Sequence, residues 1–262
     1  MSVVKLWENP IVSPPFQLKG KVAIVTGGNT GIGLGIATGL SQAGASLAIA
    51  GRRAAKNAEA VAKLEQLGGR AISVVTDVQD EASVQAMVKA TVDVFGGVDI
   101  LVNNAGINIR KAPQDYTLEE WQRVLQTNLT GVFLCAREVY PHMVQAGGGK
   151  IINVGSMTSI FGSSVAPAYS ASKGGVVQLT KSLANFWAKD NIQVNAILPG
   201  WIHTDLTAPT GQERYEAIRS RIPHGRWGEP QELAGTAVYL ASAASDYVNG
   251  VALPVDGGYT SM

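Results

Sequence analysis

The 262-residue chain has one cysteine, three histidines and charged side chains at only 16% of its positions. A lone thiol, Cys135, makes no internal disulfide, which points to a reducing compartment such as the cytoplasm; the residue itself reads as a small core side chain. His142, His203 and His224 lack metal-ligand spacing, so no metal is expected. A formal net charge of +1 without a basic block leaves no electrostatic footprint for nucleic acid. With 46% hydrophobic residues and so little charge, much of the surface must be uncharged or covered, which favours an oligomer over a lone monomer. The N-terminal stretch has tandem prolines, Pro14 and Pro15, and no continuous apolar run. It reads as an arm, 1–17, rather than a signal peptide or membrane span, followed by one large domain over 18–262.

A further absence lies inside the domain. Lys21 to Thr26 is a short β-branched run, followed by Gly27, Thr30, Gly31, Ile32 and Gly33 and then a helical pattern to Ala43. Strand, glycine turn and helix form a dinucleotide-binding entry, because glycines admit a pyrophosphate to the backbone and the helix N-terminus offers free N–H groups. The spacing is G-x-x-x-G-x-G instead of the common G-x-G-x-x-G. A second strand, Ser46 to Ala50, follows at βαβ distance. Beyond it, where an acid would hold the ribose hydroxyls of NAD, stand Gly51, Arg52 and Arg53. Two arginines at the positive end of a helix are unfavourable unless an anion joins them, and a 2′-phosphate is such an anion. NADP(H) is therefore expected in preference to NAD(H), with Arg52 reading the phosphate.

Further strands are expected at Ala71 to Thr76, ending at Asp77-Val78, and at Asp99 to Val102, ending at Asn103-Asn104-Ala105-Gly106. A helix from about Glu81 to Phe95 separates them. A long helical region from about Leu118 to Gln145 holds Asn128 near its middle, a poor interior residue that either kinks the helix or bonds something specific. The strand Gln193 to Leu198 stops at Pro199-Gly200. The broken segment at about 201–225, with a short helix around Glu213 to Arg221, suits a substrate lid. A last helix starts near Glu229, and a final strand spans Val251 to Val255.

The chemistry centres on Lys150 to Gly175. A buried strand ends at Gly155-Ser156, and a helix from about Ala168 carries Tyr169 and Lys173 four residues apart, hence on one face. At roughly 5 Å and an effective dielectric of about 20, an ammonium attracts a phenolate by on the order of 3 kcal/mol, which brings a phenol toward the range of a general acid or base. Ser156 is placed to aim a hydroxyl at the same spot.

Taken together, the glycine run from Gly27 to Gly33, the NNAG of Asn103 to Gly106, Asn128, Ser156, the Y-x-x-x-K of Tyr169 and Lys173, and Pro199-Gly200 resemble the short-chain dehydrogenase/reductase family over Leu18 to Tyr259. The resemblance implies a single-domain, Rossmann-like, doubly wound α/β fold with a seven-stranded parallel sheet and helices on both faces, assembled as a homotetramer. It implies that Tyr169 exchanges the hydroxyl proton, Lys173 lowers its pKa and holds the nicotinamide ribose, Ser156 binds the carbonyl oxygen and Asn128 holds a water relay. By the same route, cofactor contacts fall on Gly27, Thr30, Ile32, Gly33, Asp77, Val78, Asn104, Gly106, Tyr169, Lys173, Pro199, Gly200, Ile202 and Thr204. Asn108-Ile109-Arg110, Ser156-Met157 and Arg226-Trp227-Gly228 look similar to the branch containing gluconate 5-dehydrogenase and 2-deoxy-gluconate 3-dehydrogenase. Arg110 would meet a sugar-acid carboxylate, with Ser156 and His203 as further substrate contacts. The expected activity is interconversion of a secondary alcohol and a ketone on a sugar acid or polyol. Alternatives are a reductase of 3-oxoacyl thioesters or small cyclic ketones, and a non-catalytic nucleotide-binding regulator, against which the intact set Asn128, Ser156, Tyr169 and Lys173 argues.

Overall fold

Val22–Thr26 (β1) is buried at every residue, the pattern of a parallel strand covered on both faces. The same holds for β4 (Ile100–Asn103) and β6 (Ile192–Pro199), and nearly so for β2 (Ser46–Gly51) and β5 (Gly149–Val154). With the edge strands β3 (Arg70–Val75) and β7 (Ala252–Val255) they form one parallel sheet in the order β3-β2-β1-β4-β5-β6-β7. This computed structural model describes residues 15–208 and 210–261, so the expected arm lies, apart from 15–17, outside the described residues.

Successive residues of each strand serve opposite layers. Ala23 and Val25 join α1 (Gly31–Gln42), α2 (Ala54–Gln66) and α8 (Ala234–Ala241) in one core with Ile36, Leu40, Leu64 and Leu240. Ile24 joins α3 (Glu81–Phe95), α5 (Gly131–Gln145) and α6 (Pro167–Trp187) in the other, with Met87, Val139 and Trp187. The chain leaves β1 toward β2 and leaves β4 toward β5, so the order reverses between β1 and β4, and a crevice opens beyond their carboxyl ends. No helix among the described residues is long and apolar enough to cross a membrane.

The expected long helical region from Leu118 to Gln145 consists of two helices. α4 (Leu118–Leu125) starts at a capping box made by Thr117 and Glu120, and a π-helical turn, Gln126–Thr130, separates it from α5. The last helix also starts later than expected: Pro230–Leu233 is a 3-10 turn, and α8 begins at Ala234. Between β6 and β7, the segment carrying α7 (Gln212–Arg219) is pinned at its base by a parallel bridge of Ile202 to Gly228. Above that bridge, Ile218, Ile222 and Trp227 bury one another, and Trp227 stands 5.1 Å from Trp201 and 4.8 Å from Tyr215, ring centre to ring centre.

Candidate active site

The crevice is built by two loops tied together. Asn104 Nδ2 donates to the carbonyls of Thr26 (3.1 Å) and Gly27 (3.0 Å), while Thr26 Oγ1 accepts from the N–H groups of Asn104 (3.0 Å) and Ala105 (3.2 Å). Gly27 has φ +62°, and a β-carbon there would lie 2.9 Å from Asn104 Nδ2. Gly33 does not face the crevice: a β-carbon would meet the Gly27 carbonyl oxygen at 2.2 Å, so this glycine lets α1 approach the first loop. Asn103 also turns inward, its Nδ2 donating to Asn153 Oδ1 at 2.9 Å, which braces β4 against β5.

Gly27, Thr30, Ile32, Asp77, Val78, Asn104 and Gly106 line one wing of the crevice together with Arg52 and Arg53. The first turn of α1 has no acidic residue and Thr30 makes no side-chain cap, so its N–H groups are free for an anion. Arg53 Nη2 reaches Thr30 Oγ1 at 3.5 Å. Gly51 is closed to a side chain: a β-carbon would lie 2.8 Å from Asn29 Nδ2 and 3.0 Å from Asn57 Oδ1, two groups already hydrogen-bonded to each other at 2.6 Å. The residues present therefore fit a nicotinamide dinucleotide, with the glycine turn and helix N-terminus for its pyrophosphate.

The other wing is lined by Ser156, Tyr169, Lys173, Pro199, Gly200, Ile202 and Thr204. Pro167 at the first position of α6 presets the helix that presents Tyr169 and Lys173. Lys173 is 3% exposed and donates from Nζ to the Val154 carbonyl at 2.6 Å; burial pulls its pKa down to about 8. Ser156 Oγ accepts from the N–H of Thr158 at 3.1 Å, so its own proton can turn to the cavity. Burial pushes the Tyr169 hydroxyl above its ordinary value, opposed first by Ser156 and then by the charge of Arg110. The Lys173 Nζ lies over the Tyr169 ring, 5.7 Å from its centre.

Asn128 is fully buried on the π-helical turn, a feature that recurs at functional sites. Its Oδ1 accepts from the Ile107 N–H at 2.8 Å, and its Nδ2 donates to the Ile107 carbonyl (2.9 Å) and to Ser172 Oγ (3.1 Å). Ser172 in turn donates to the carbonyl of Tyr169 at 2.7 Å. Both expectations for Asn128, a local distortion and a specific bond, hold at once. A β-carbon at Gly106 would lie 3.2 Å from Asn128 Oδ1 and 3.7 Å from Lys173 Nζ, so only glycine leaves this spot open.

Arg110 lines the same cavity as Ser156 and Tyr169, on a rim loop that continues the NNAG turn. Three further residues there were not expected as substrate contacts: Arg214 of α7, Asn108 and Thr158. Arg110 is held below the usual arginine range by burial and then by the charge of Arg214. His203 is placed elsewhere. It lies outside this cavity, 45% exposed at its side chain, between Tyr215 and Trp227 and 4.0 Å from Glu229. Arg226 grips Glu232 through two nitrogens at 2.7 and 2.6 Å and drags that carboxyl to about 2.

A family model described as Enoyl-(Acyl carrier protein) reductase matches residues 27–260. A 2-dehydro-3-deoxy-D-gluconate 5-dehydrogenase of Dickeya dadantii is 45% identical over 247 residues, covering 93% of this chain and 97% of its own. A 5-keto-D-gluconate 5-reductase of Escherichia coli K12 is 42% identical over 245 residues, 93% of this chain and 96% of its own. Among solved structures, a gluconate 5-dehydrogenase from Burkholderia cenocepacia J2315 in complex with NADP and tartrate has a TM-score of 0.91 at 40% identity, over 95% of this chain and 98% of that one. With that likeness spread across the sheet, the glycine turn and the Tyr169–Lys173 helix, the chain belongs to the short-chain dehydrogenase/reductase family, as an NAD(P)-dependent oxidoreductase acting on CH–OH groups.

Proposed function

We propose that the protein interconverts a secondary hydroxyl and a ketone on a sugar acid, with NADP(H) in preference to NAD(H). The observation that carries this reading is a cationic side chain, Arg110, in the cavity of Ser156 and Tyr169, where a substrate carboxylate would neutralise it. The relatives named for gluconate and keto-gluconate chemistry support it. The nicotinamide nucleotide supplies the hydride; position, proton and field come from the chain. Tyr169 gives or takes the hydroxyl proton, Ser156 holds the oxygen that changes between alcohol and ketone, and Lys173 sits where the nicotinamide ribose would reach it. Asn128 anchors the relay behind Lys173 and keeps the Tyr169 turn of α6 in register through Ser172. For the phosphate of NADP, Arg52 and Arg53 stand at the crevice edge while Gly51 has no room for the acid that NAD would call for.

The domain is one unit over 18–262, and the segment 201–225 is its lid, since Ile202, Thr204 and Arg214 all face the cavity. The assembly is a homotetramer formed through the long helices, supported by Leu118, Phe133 and Phe186 standing exposed on α4, α5 and α6. Its place is the cytoplasm, as the single buried thiol of Cys135 allows. A reductase of 3-oxoacyl thioesters would use the same catalytic residues, but Arg110 and Arg214 in the cleft, with no carboxylate partner among the described residues, favour an acid.

The deciding experiment compares kcat/KM with NADPH for 5-keto-D-gluconate, a neutral ketohexose and a 3-oxoacyl thioester. Clear preference for the keto acid is expected; preference for the thioester would overturn the reading. Light scattering of the purified protein tests the tetramer.

A further inference from the structure

We propose that Arg110 and Arg214 act as the two arms of one clamp on the substrate carboxylate, one arm on the fixed rim and one on the lid helix α7. The proposal rests on the sugar-acid reading above and adds to it the part played by the lid.

Four observations converge. Both arginines line the cavity of Ser156 and Tyr169, and they are near enough for the charge of Arg214 to weigh on Arg110. Two like charges facing one partly buried cavity repel each other, and an anion between them removes the repulsion.

Neither has a carboxylate partner among the described residues, although arginines nearby do. Four arginines lie between 214 and 226. Arg219 pairs with Glu216 and Arg226 with Glu232, while Arg221 covers the ring of Tyr259; Arg214 alone has neither a carboxylate nor a ring.

The two arms differ in stiffness. The loop of Arg110 is braced on both sides, by the Tyr116 hydroxyl donating to the Ile109 carbonyl and by the Lys111 N–H donating to Val165 at 3.0 Å. Arg214 rides on a two-turn helix held to the body through Tyr215 and Ile218. A carboxylate that bonds both would draw the helix onto the rim, so the charged end of the substrate itself closes the lid.

Three residues lining the same cavity carry a buried polar atom without a partner among the described residues: Asn108 Oδ1, Thr158 Oγ1 and Trp201 Nε1. Buried polar atoms of this kind are nearly always satisfied, so all three await a donor or acceptor from outside the chain. Hydroxyls of a polyol acid supply them, and a simple ketone does not.

The test uses the full chain saturated with NADPH and measures KM for 5-keto-D-gluconate and the inhibition constant of tartrate, a hydroxy-dicarboxylate. Arg110→Gln and Arg214→Gln are each expected to raise both constants roughly tenfold or more, with kcat moving less, as for loss of a charge-assisted contact. The double variant is expected to fall well short of the product of the singles, because one carboxylate serves both arms. NADPH affinity, read from nicotinamide fluorescence, reports that each variant is folded. If Arg214→Gln leaves both constants at the wild-type value while Arg110→Gln raises them, or if the two effects multiply fully, the clamp is overturned and the sugar-acid reading stands. If neither variant moves them and a neutral ketone of equal length is turned over as well as the acid, the sugar-acid reading falls as well.

Discussion

Lys173 donates its ammonium to the main-chain carbonyl of Val154 at 2.6 Å, two residues before Ser156. That bond locks α6 to the carboxyl end of β5, so Tyr169 and Ser156 are set by one joint. Burial of Lys173 is the cost of the arrangement, and it has a pH signature.

The folded-state pKa of Lys173 is about 8, against 10.5 for the free side chain. Between these values the unfolded chain holds a proton that the folded chain has released, so the contribution of this group to stability rises with pH across that window and is smallest below it. The melting temperature of the wild type minus that of Lys173→Met, measured without nucleotide, should therefore grow from about pH 7 to about pH 9.5. A flat difference would mean that the ammonium is not penalised by burial. The variant should have lost turnover at every pH.

Under the proposed mechanism, Tyr169→Phe removes the proton that passes to or from the substrate oxygen. Turnover should fall by roughly a hundredfold to ten-thousandfold, the usual range for a lost general acid or base. NADPH titration of the same variant should be unchanged, and near-normal turnover would remove Tyr169 from the mechanism.

Arg110 pulls the phenol of Tyr169 toward its charged form. Taking the charge away with Arg110→Gln lets the phenol pKa rise. Oxidation of an alcohol needs phenolate, so its rate-versus-pH curve should move to higher pH; reduction needs the phenol and should persist to higher pH. Profiles taken with a neutral alcohol and ketone isolate this effect, and a shift of the opposite sign would refute it.

Arg52→Ala should weaken NADPH by roughly tenfold to a hundredfold while leaving NADH nearly unaffected, the loss expected for one charge-assisted grip on a phosphate. Arg53→Ala should act in the same direction, given its reach to Thr30. Equal losses for both nucleotides would show that these arginines do not read the phosphate.

Asn128→Ala leaves the Ile107 N–H and carbonyl without partners inside the protein. Urea denaturation should register a loss of about 1–3 kcal/mol, since the two orphaned groups are part-buried and water can satisfy them in part. A loss under about 0.5 kcal/mol would mean that other groups take over these bonds.

Most of the sheet was legible because its inner strands are short apolar runs that stop at Gly27, Gly51, Asn103, Gly155 and Gly200, and α3 runs from Glu81 to Phe95 as periodicity alone indicates. The π-helical turn was not, since Gln126 to Thr130 fits an ordinary helix and only tertiary bonds to Ile107 select the wider turn. The pairing of Tyr169 with Lys173 follows from helical spacing. Arg214 had no such signal: between Glu213 and Glu216 it reads as one charge on a solvated helix, and only the folded lid brings it beside Arg110. Asn108 and Thr158 each sit two residues from a residue the sequence did mark, Arg110 and Ser156, yet loop backbone sets their direction. His203 misled because its neighbours in sequence face the cavity while its own ring packs outward against Trp227.

The closed space at Gly51 bears on redesign. An aspartate placed there to hold the ribose hydroxyls of NAD would drive its first carbon into the amide pair of Asn29 and Asn57, 2.8 and 3.0 Å away. Asn57 also donates to the carbonyls of Gly51 and Val74, so it cannot step aside without loosening β2 from β3. Asn29 is the side that can yield, so an acid at 51 has to be preceded by a smaller residue at 29.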